Sequence, residues 1–279
     1  RYLTQKQFEE HLILIKQVFN PVSLKDVISN NLPPDKLNVL ITFDDGLKNN
    51  YTHAFLLLKK HHIPAVFFVT GLPSTPLPYL FNDLTDVIPY IAGEMMEIEG
   101  QAFYRKKVFL NYRFLNREGV QLASYYHKAS HAERENIIRQ LMSKVKSSEL
   151  EKHTLYYQLM NETELKEISD HPDYDIGSHG FYHTDLSAIS QEALQHELER
   201  SVKYLESVLH KKTNTIAFPY GDYNQQVVEG CAENGLQYLF RTEKETTVNT
   251  NCSLYERFTV NPFVSTINQM YYIAKNNYE

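Results

Sequence analysis

Two short polar runs, far apart along the chain, carry side chains that could perform hydrolytic chemistry. The first is Asp44-Asp45-Gly46, directly after the apolar residues 39–43, and the second contains His179 and His183. One carboxylate and two imidazoles are sufficient for a metal site that keeps an open position for water. A second carboxylate beside that water would serve as a base. The two runs therefore predict a metal-dependent hydrolase if the fold brings them together.

Each run has a plainer interpretation when it is taken alone. Asp-Asp-Gly is a common solvated turn, and a chain with 12 histidines contains chance pairs at this spacing. The buried strand before Asp44 favours the site, because side chains alternate along a strand and the two carboxylates would point in different directions. Two imidazoles and one carboxylate suit zinc, although nickel, cobalt or manganese could also occupy such a site.

A third group of residues is Pro219, Tyr220 and Gly221, which follows another predicted strand. A backbone N–H at this turn can donate to a developing oxyanion. Pro219 and Gly221 would hold the backbone in place, and Tyr220 offers a flat wall for a sugar ring. An ordinary strand-to-helix turn explains the same residues. Tyr182 and Tyr223 adjoin these motifs and are further candidates for stacking on a sugar, whereas most aromatic residues are expected in the core.

The elements that would position these residues alternate between strand and helix from residue 39 onward. The strongest helical pattern follows Ser190, where apolar residues recur every three or four positions between 194 and 209. Such alternation predicts a parallel sheet covered by helices. Each motif follows the carboxyl end of a predicted strand, where α/β barrels and open sheets carry their sites. The predicted strands are residues 39–43, 65–69, 174–177, 215–218, 238–240 and 258–260.

Two segments stand outside this alternation. Residues 1–38 hold an amphipathic helix and a loop, and residues 72–160 include a proline-rich piece and a polar helix around 131–147. A long structureless loop is improbable inside a compact domain, so residues 72–160 are predicted to form an insertion or subdomain over the barrel mouth. The whole chain, 1–279, is predicted to be one domain with these two additions.

Composition excludes several classes of protein. The net charge of -6, with scattered basic residues, argues against nucleic acid as a partner. Cys231 and Cys252 form neither a disulfide framework nor a metal-binding spacing. No apolar run reaches the ~18–20 residues that span a bilayer. The chain starts at Arg1, and we expect a cytoplasmic protein, or one of the cell envelope if a signal or anchor precedes this residue.

The three groups together resemble the polysaccharide deacetylases, the family with the NodB homology domain (carbohydrate esterase family 4). The family's T-F-D-D-G motif is matched by Thr42–Gly46. Its H-[ST]-x-x-H motif is matched by His179 and His183, with Gly180 in the Ser/Thr position, and its P-Y-G motif is matched by residues 219–221. The resemblance covers roughly residues 36–265. It implies an α/β fold, a distorted (β/α)7-type barrel, here with a helical insertion.

The resemblance also implies a reaction and residue roles. The reaction would be hydrolytic N-deacetylation of an acetylated amino sugar in a bacterial surface polysaccharide or its precursor, with an N-acetylated oligo- or polysaccharide as partner. Asp45, His179 and His183 would hold the metal ion, and Asp44 would be the general base that takes a proton from the attacking water. The Tyr220 N–H would stabilise the oxyanion together with the metal.

The sequence departs from the family pattern at two residues that assist catalysis, an arginine and a histidine. The family usually has an arginine two residues before the third-motif proline to steady the catalytic aspartate, and Ala217 stands there. Arg257, near a late predicted strand, could replace that arginine, and Arg241 is a weaker candidate. The family also uses a late histidine as general acid, whereas no histidine follows His210 and the chain has no tryptophan.

The missing histidine leaves several possibilities open. The leaving amine could take its proton from metal-held water, from Asp44 or from a residue of the insertion. Two other functions are compatible with the same residues. The chain could be a non-catalytic glycan-binding relative, or it could be an O-acetyl esterase, whose better leaving group tolerates a missing acid.

Overall fold

The computed structural model describes residues 3–242 and 246–275, in which helices and strands alternate. A π-helical turn, Asn50–Phe55, leads into the third helix. The strands are β1 (Asn20–Pro21), β2 (Asn38–Val39), β3 (Ile41–Phe43), β4 (Ala65–Val69), β5 (Met95–Ile98), β6 (Gln101–Val108), β7 (Asn111–Leu115), β8 (Tyr174–Ser178), β9 (Thr215–Ala217), β10 (Tyr238–Arg241) and β11 (Ser253–Glu256). The helices are α1 (Gln5–Val18), α2 (Leu24–Ile28), α3 (Leu56–His61), α4 (Phe81–Ile91), α5 (Leu122–Tyr125), α6 (His131–Ser143), α7 (Ser147–Leu150), α8 (Glu162–Asp170), α9 (Gln191–Leu209), α10 (Gln225–Glu233) and α11 (Thr266–Lys275).

Six parallel strands form the central sheet in the order β11-β10-β9-β8-β4-β3. All five residues of β4 are buried, as expected for a parallel strand covered on both faces. Val66 and Phe68 face the concave side and pack with Phe240. Phe67 and Val69 face the other side, where apolar residues of α3, α8 and α9 cover the sheet. The apolar alternation along the chain thus produces the predicted layered α/β structure.

The sheet is curled, so that its two edges approach each other at their carboxyl ends. Arg257, the residue after β11, contacts Asp44, the residue after β3, at 2.6 Å. These strands are at opposite edges of the sheet, so the contact joins the ends of a half-barrel. The barrel mouth therefore lies where the sequence motifs follow their strands.

Helix α1 packs against the outside of this half-barrel, whereas Leu24 of α2 packs with Phe68 and Phe240 on the concave side. Helix α1 begins with a capping box in which the side chains of Thr4 and Gln7 bond to each other's backbone N–H, and it lies against α3 and α11. Strands β1 and β2 form a small parallel pair. The strand predicted at 39–43 is divided at Leu40 into β2 and β3, because the two halves pair with different neighbours.

Residues 72–160 lie between β4 and β8 and have a hydrophobic core of their own. Helices α4 to α7 pack around an antiparallel sheet of order β5-β6-β7, with buried residues that include Leu84, Ile98 and Phe103. The sequence analysis expects a helical insertion and does not predict this sheet. The first of its two tight turns, Glu99-Gly100, contains a glycine. The second turn, Phe109-Leu110, contains no glycine or asparagine that would predict a turn.

One predicted strand is wrong. Residues 258–260 are not a strand, and the last strand of the sheet is β11, Ser253–Glu256. Strand β10 ends at Arg241, which pairs with Glu256. Residues 258–260 lie beyond the last described pair of these two strands, so β11 ends before them. Within the described ranges, none of the helices has the length and apolar character that crossing a bilayer requires.

Candidate active site

The two distant polar runs meet at the barrel mouth. Asp45 follows β3, and its Oδ1 lies 3.5 Å from Nε2 of His179 and 3.2 Å from Nε2 of His183, which both follow β8. The three ligand atoms lie within 4.8 Å of one another. Ligands in a tetrahedral zinc site with bonds of 2.0–2.1 Å are separated by roughly 3.4 Å. The separations of Asp45 from the two imidazoles therefore fit a single small cation.

The backbone at these residues is held in an uncommon conformation. Asp45 has a φ of 75° and His183 a φ of 56°, both in the left-handed region that non-glycine residues seldom adopt. Gly46, at φ 77°, is packed so closely against β4 that a Cβ there would lie 3.0 Å from the Cβ of Val69. The neighbouring strand thus fixes the turn that carries the Asp45 carboxylate.

Hydrogen bonding also orients the ligand side chains. Nδ1 of His179 donates to the backbone carbonyl of Ala217 at 2.8 Å, which turns Nε2 toward Asp45. Burial opposes ionisation of Asp45, but its hydrogen bonds with His179 and His183 outweigh burial and hold the pKa of Asp45 below its usual value. Burial lowers the pKa of His183, whereas at His179 the carboxylates of Asp44 and Asp45 outweigh burial and raise the pKa. An ionised carboxylate with a neutral imidazole is the form in which these groups bind a divalent metal.

Asp44 is not part of this triad and is held by an arginine. Arg257 donates from its two terminal nitrogens to the two oxygens of Asp44 at 2.6 and 2.9 Å, and also to Oγ1 of Thr42 at 3.2 Å. A bidentate arginine fixes a carboxylate in position and orientation. Arg241, the weaker candidate for this place, instead lies 3.7 Å from Glu256.

The triad and Asp44 open into a cavity of about 210 Å³. The barrel contributes the two aspartates, the two histidines and Tyr220 to its wall. The insertion contributes Leu80, Asn82 and Asp83, at the start of α4. Nδ2 of Asn82 lies 3.5 Å from the Tyr220 hydroxyl. These three residues are absent from the sequence analysis, since nothing in their spacing shows that the insertion folds back onto the barrel mouth.

The turn after β9 places Tyr220 in the cavity wall, next to the triad. Its φ is 62°, and its ring centroid lies 4.7 Å from that of His183. The flanking residues keep the turn tight: Pro219 opens it, and a Cβ on Gly221 would lie 1.9 Å from Oγ1 of Thr242. Burial raises the pKa of the Tyr220 hydroxyl, so this group stays protonated at neutral pH.

The structure does not bring Tyr182 and Tyr223 to this cavity. Tyr223 is 5% exposed and stacks in the core on Phe218, with ring centroids 5.2 Å apart. It points inward because its turn packs it against the sheet rather than the mouth. Tyr182 stacks on His131 of the insertion and lines a neighbouring cavity.

A buried glutamate supports the loop that carries the two histidines. Oε1 of Glu197, on α9, accepts hydrogen bonds from the N–H groups of Phe181 at 3.0 Å and Tyr182 at 2.8 Å. Burial raises the pKa of Glu197 to about 7. In the sequence, Glu197 is one acidic residue on a long helix, and no motif distinguishes it from its exposed neighbours.

An arginine of the insertion contacts the same region. Arg134, on α6, is 4% exposed and donates to the backbone carbonyl of His183 at 2.8 Å and to the Tyr220 hydroxyl at 3.3 Å. These contacts attach the insertion to the loop that carries His183 and to the turn that carries Tyr220. The sequence analysis does not identify Arg134, because its partners lie about 50 and 86 positions away.

Sequence comparison places these motifs within a known family. The family model for polysaccharide deacetylases matches residues 31–85 and 110–239, which is more than half of the chain. The unmatched residues 86–109 lie inside the insertion. YxkH of Bacillus subtilis strain 168, whose name assigns it to the polysaccharide deacetylases, is 21% identical over 243 residues. The aligned part covers 86% of this chain, and the chain spans only 58% of the length of YxkH.

Solved structures share the fold. The Streptococcus pyogenes deacetylase PplD, in complex with acetate, matches with a TM-score of 0.55 and 17% identity, over 96% of this chain and 86% of that one. A de-N-acetylase from Aggregatibacter actinomycetemcomitans matches with a TM-score of 0.57 and 16% identity, over 96% and 91% of the two chains. The predicted NodB-like distorted barrel is thereby confirmed.

Proposed function

The chain belongs to the polysaccharide deacetylase family, and from this membership we propose that it removes N-acetyl groups from an amino sugar of a bacterial surface polysaccharide or its precursor. One observation carries the proposal: a carboxylate and two imidazoles converge beside a second carboxylate that Arg257 holds in place. The first set matches the ligands of a hydrolytic metal site, and the second matches a base.

Asp45, His179 and His183 would hold a divalent metal ion. Zinc suits two imidazoles and one carboxylate best, and nickel, cobalt and manganese are alternatives. A metal ion bound there would polarise the acetyl carbonyl and lower the pKa of a water molecule. The hydrogen bond between His179 and Ala217 keeps the imidazole turned toward the ion.

Asp44 is proposed as the general base. The two hydrogen bonds from Arg257 leave its carboxylate little freedom to rotate, so it faces the cavity in a defined orientation. It would accept the proton of water as the water oxygen bonds to the acetyl carbon. The backbone N–H of Tyr220, beside the triad, would donate to the oxygen that gains negative charge.

Asp83 is proposed as the proton donor to the leaving amine. Breaking the C–N bond requires that the nitrogen be protonated, and no histidine follows His210 to supply the proton. Asp83 reaches the same cavity from the insertion and is 4% exposed. A carboxylic acid in this position would take over the role that the family gives to its late histidine.

Acetate release from N-acetylated hexosamine oligomers tests this function. We expect release by zinc-loaded protein, loss of release with a chelator and recovery on adding zinc. Asp44→Asn should lower turnover at least ~10³-fold while metal content stays unchanged, because a side-chain amide cannot accept the proton and Asp45 remains intact. His183→Ala, as the contrasting variant, should lose the metal.

Two results would contradict the assignment. Metal loss in Asp44→Asn would mean that Asp44 is a ligand, and unchanged metal content in His183→Ala would remove His183 from the ligand set. If the metal-loaded protein binds the oligomers and releases no acetate, the glycan-binding alternative is correct.

An O-acetyl ester is the second candidate substrate. The chain lacks the family's late histidine, and an alkoxide leaving group needs less help from an acid than an amine does. A panel of matched O-acetylated and N-acetylated sugars distinguishes the two bonds. Faster hydrolysis of the ester alone would favour the esterase.

A further inference from the structure

A second cavity lies beside the first, between the insertion and the barrel. Its volume is about 170 Å³. Helix α6 of the insertion lines it with His131 and Arg134, the loop after β8 with Tyr182, and helix α9 with Arg200. The resemblance to the family assigns nothing to this cavity, because most of its wall belongs to the insertion.

Positive charge dominates the wall of this cavity. Arg134 and Arg200 both line it, and Glu135 is the one carboxylate among the lining residues that the structure describes. Glu135 is engaged by Arg139 at 2.7 Å. Burial lowers the pKa of His131, and the two cavity arginines lower it further against the opposing effect of Glu135, as expected near net positive charge.

The two arginines are prepared to bind an anion. The terminal nitrogens of Arg134 are held by the carbonyls of His127 and His183 and by the Tyr220 hydroxyl, so Arg134 supplies a positive charge that is fixed beside the cavity. The described partners of Arg200 are the Tyr182 hydroxyl and the ring of Phe181, whose centroid is 4.1 Å away. Guanidinium groups match the geometry of carboxylate and phosphate oxygens.

The cavity is also suited to a sugar and is adjacent to the metal triad. Tyr79 and Tyr182 add flat apolar surface to its wall. Arg134 lines this cavity and at the same time contacts His183 and Tyr220, which line the first one. One side chain thus contacts the walls of both cavities.

We propose that this second cavity is a subsite for a negatively charged group, a phosphate or a carboxylate, carried by the acetylated sugar or by its neighbour in the glycan. The position of the acetylated sugar rests on the proposed function. The anion-binding property itself rests only on the charges and the burial of the cavity wall.

Binding to metal-free protein tests the proposal. Removing the metal with a chelator ensures that a bound cation does not attract the anion. The probes are N-acetylglucosamine 1-phosphate, glucuronic acid and neutral N-acetylglucosamine, measured by calorimetry. We expect at least one charged probe to bind about tenfold more tightly than the neutral one, in line with charge-assisted hydrogen bonds.

Two variants that change the charge of the cavity wall in opposite directions make the test more specific. Arg200→Gln should weaken binding of the charged probe about tenfold, and Glu135→Gln should tighten it about threefold. Lys203→Gln, on the same helix but exposed and paired with Glu199, is the matched control and should leave the affinity unchanged.

Each outcome decides a point. If N-acetylglucosamine 1-phosphate binds more tightly than glucuronic acid, the anion is a phosphate on the sugar. If the two charged probes bind equally, the subsite accepts any acidic residue of the glycan. Equal affinity for the neutral probe, or no response to both Arg200→Gln and Glu135→Gln, overturns the proposal. The binding measurement does not depend on acetate release, so a failed deacetylase assignment does not affect the result.

Discussion

At the scale of single residues, the pairing of Asp44 with Arg257 shows how a site can keep its geometry while its sequence pattern changes. The family's usual arginine precedes the third motif, where this chain has Ala217. Arg257 reaches the same aspartate from the opposite edge of the sheet, with two hydrogen bonds. Arg257 occupies a different position along the chain from the family's usual arginine, and it makes a guanidinium–carboxylate contact with Asp44.

The first residue-scale prediction concerns this pair. Arg257→Ala should lower kcat about 10²-fold, because a freely rotating base spends little time aligned with the attacking water. Arg241→Ala is the control and should lower kcat less than about threefold, since Arg241 lies by Glu256. Steady-state kinetics on one oligosaccharide compare the two. An equal or reversed order would exclude Arg257 as the residue that positions Asp44.

The second residue-scale prediction concerns Asp83. Asp83→Asn should lower kcat on an N-acetyl sugar about 10²–10³-fold, because the amine then leaves without a proton. Hydrolysis of p-nitrophenyl acetate should change little, since its leaving group needs no acid. Asp86→Asn on the same helix is the control, because Asp86 pairs with Arg113 at 3.5 Å. Equal losses on amide and ester would show that Asp83 is not the proton donor.

At the scale of elements, helix α9 supports the histidine loop through a carboxylate that titrates near neutral pH. The pKa of Glu197 is raised from 4.5 to about 7. Between these values the folded protein keeps a proton that the unfolded chain has released. The free energy of unfolding therefore falls as the pH rises from about 5 to 7, by up to about 3 kcal/mol from this residue, and levels off above pH 7.

Glu197→Gln should remove this dependence. The glutamine keeps an oxygen to accept from Phe181 and Tyr182 and has no proton to lose. Urea unfolding at pH 5 and pH 8 should show a smaller difference in the variant than in the wild type. Glu199→Gln, an exposed neighbour on the same helix, should keep the wild-type difference. An unchanged slope in Glu197→Gln would mean that Glu197 titrates alike in both states.

The hairpin between β6 and β7 permits a second element-scale prediction. Phe109 occupies its tight turn at a φ of 53° and is 94% exposed. An aromatic residue in the left-handed region costs about 1 kcal/mol that asparagine largely avoids. Phe109→Asn should slow amide hydrogen exchange in β6 and β7 severalfold. Leu110→Asn, at a position without positive φ, should not. Faster exchange in Phe109→Asn would contradict the strain.

At the scale of the whole molecule, the sequence predicts the barrel and its metal triad better than it predicts the insertion. Asp45, His179 and His183 lie in contiguous motifs at strand ends, and parallel strands bring such ends to one edge. Asp83, Arg134 and Glu197 lie in helices whose patterns show only which face is buried. The positions of Asp83 and Arg134 depend on how the insertion packs, and that of Glu197 depends on how α9 packs against the histidine loop.

The same limit explains the two errors in secondary structure. Strands β5 and β6 of the insertion do not alternate polar and apolar residues, and one turn of their sheet is Phe109-Leu110, which lacks turn residues. Residues 258–260 are apolar enough to predict a strand, but the described pairing of β10 with β11 ends at Arg241 and Glu256, before these residues. An apolar pattern predicts where a strand can form and does not fix where its pairing with a neighbour ends.

The contact between Arg257 and Asp44 would make the proposed catalysis depend on the docking of β11. Asp45 and the two histidines come from strands that are synthesised well before β11, so a nascent polypeptide could assemble its cation-binding ligands early. The base would remain unaligned until the last strand emerges and docks. If the chain folds in the order of synthesis, the proposed active site would be complete only when β11 docks. A product truncated before β11 would then bind metal without hydrolysing glycan.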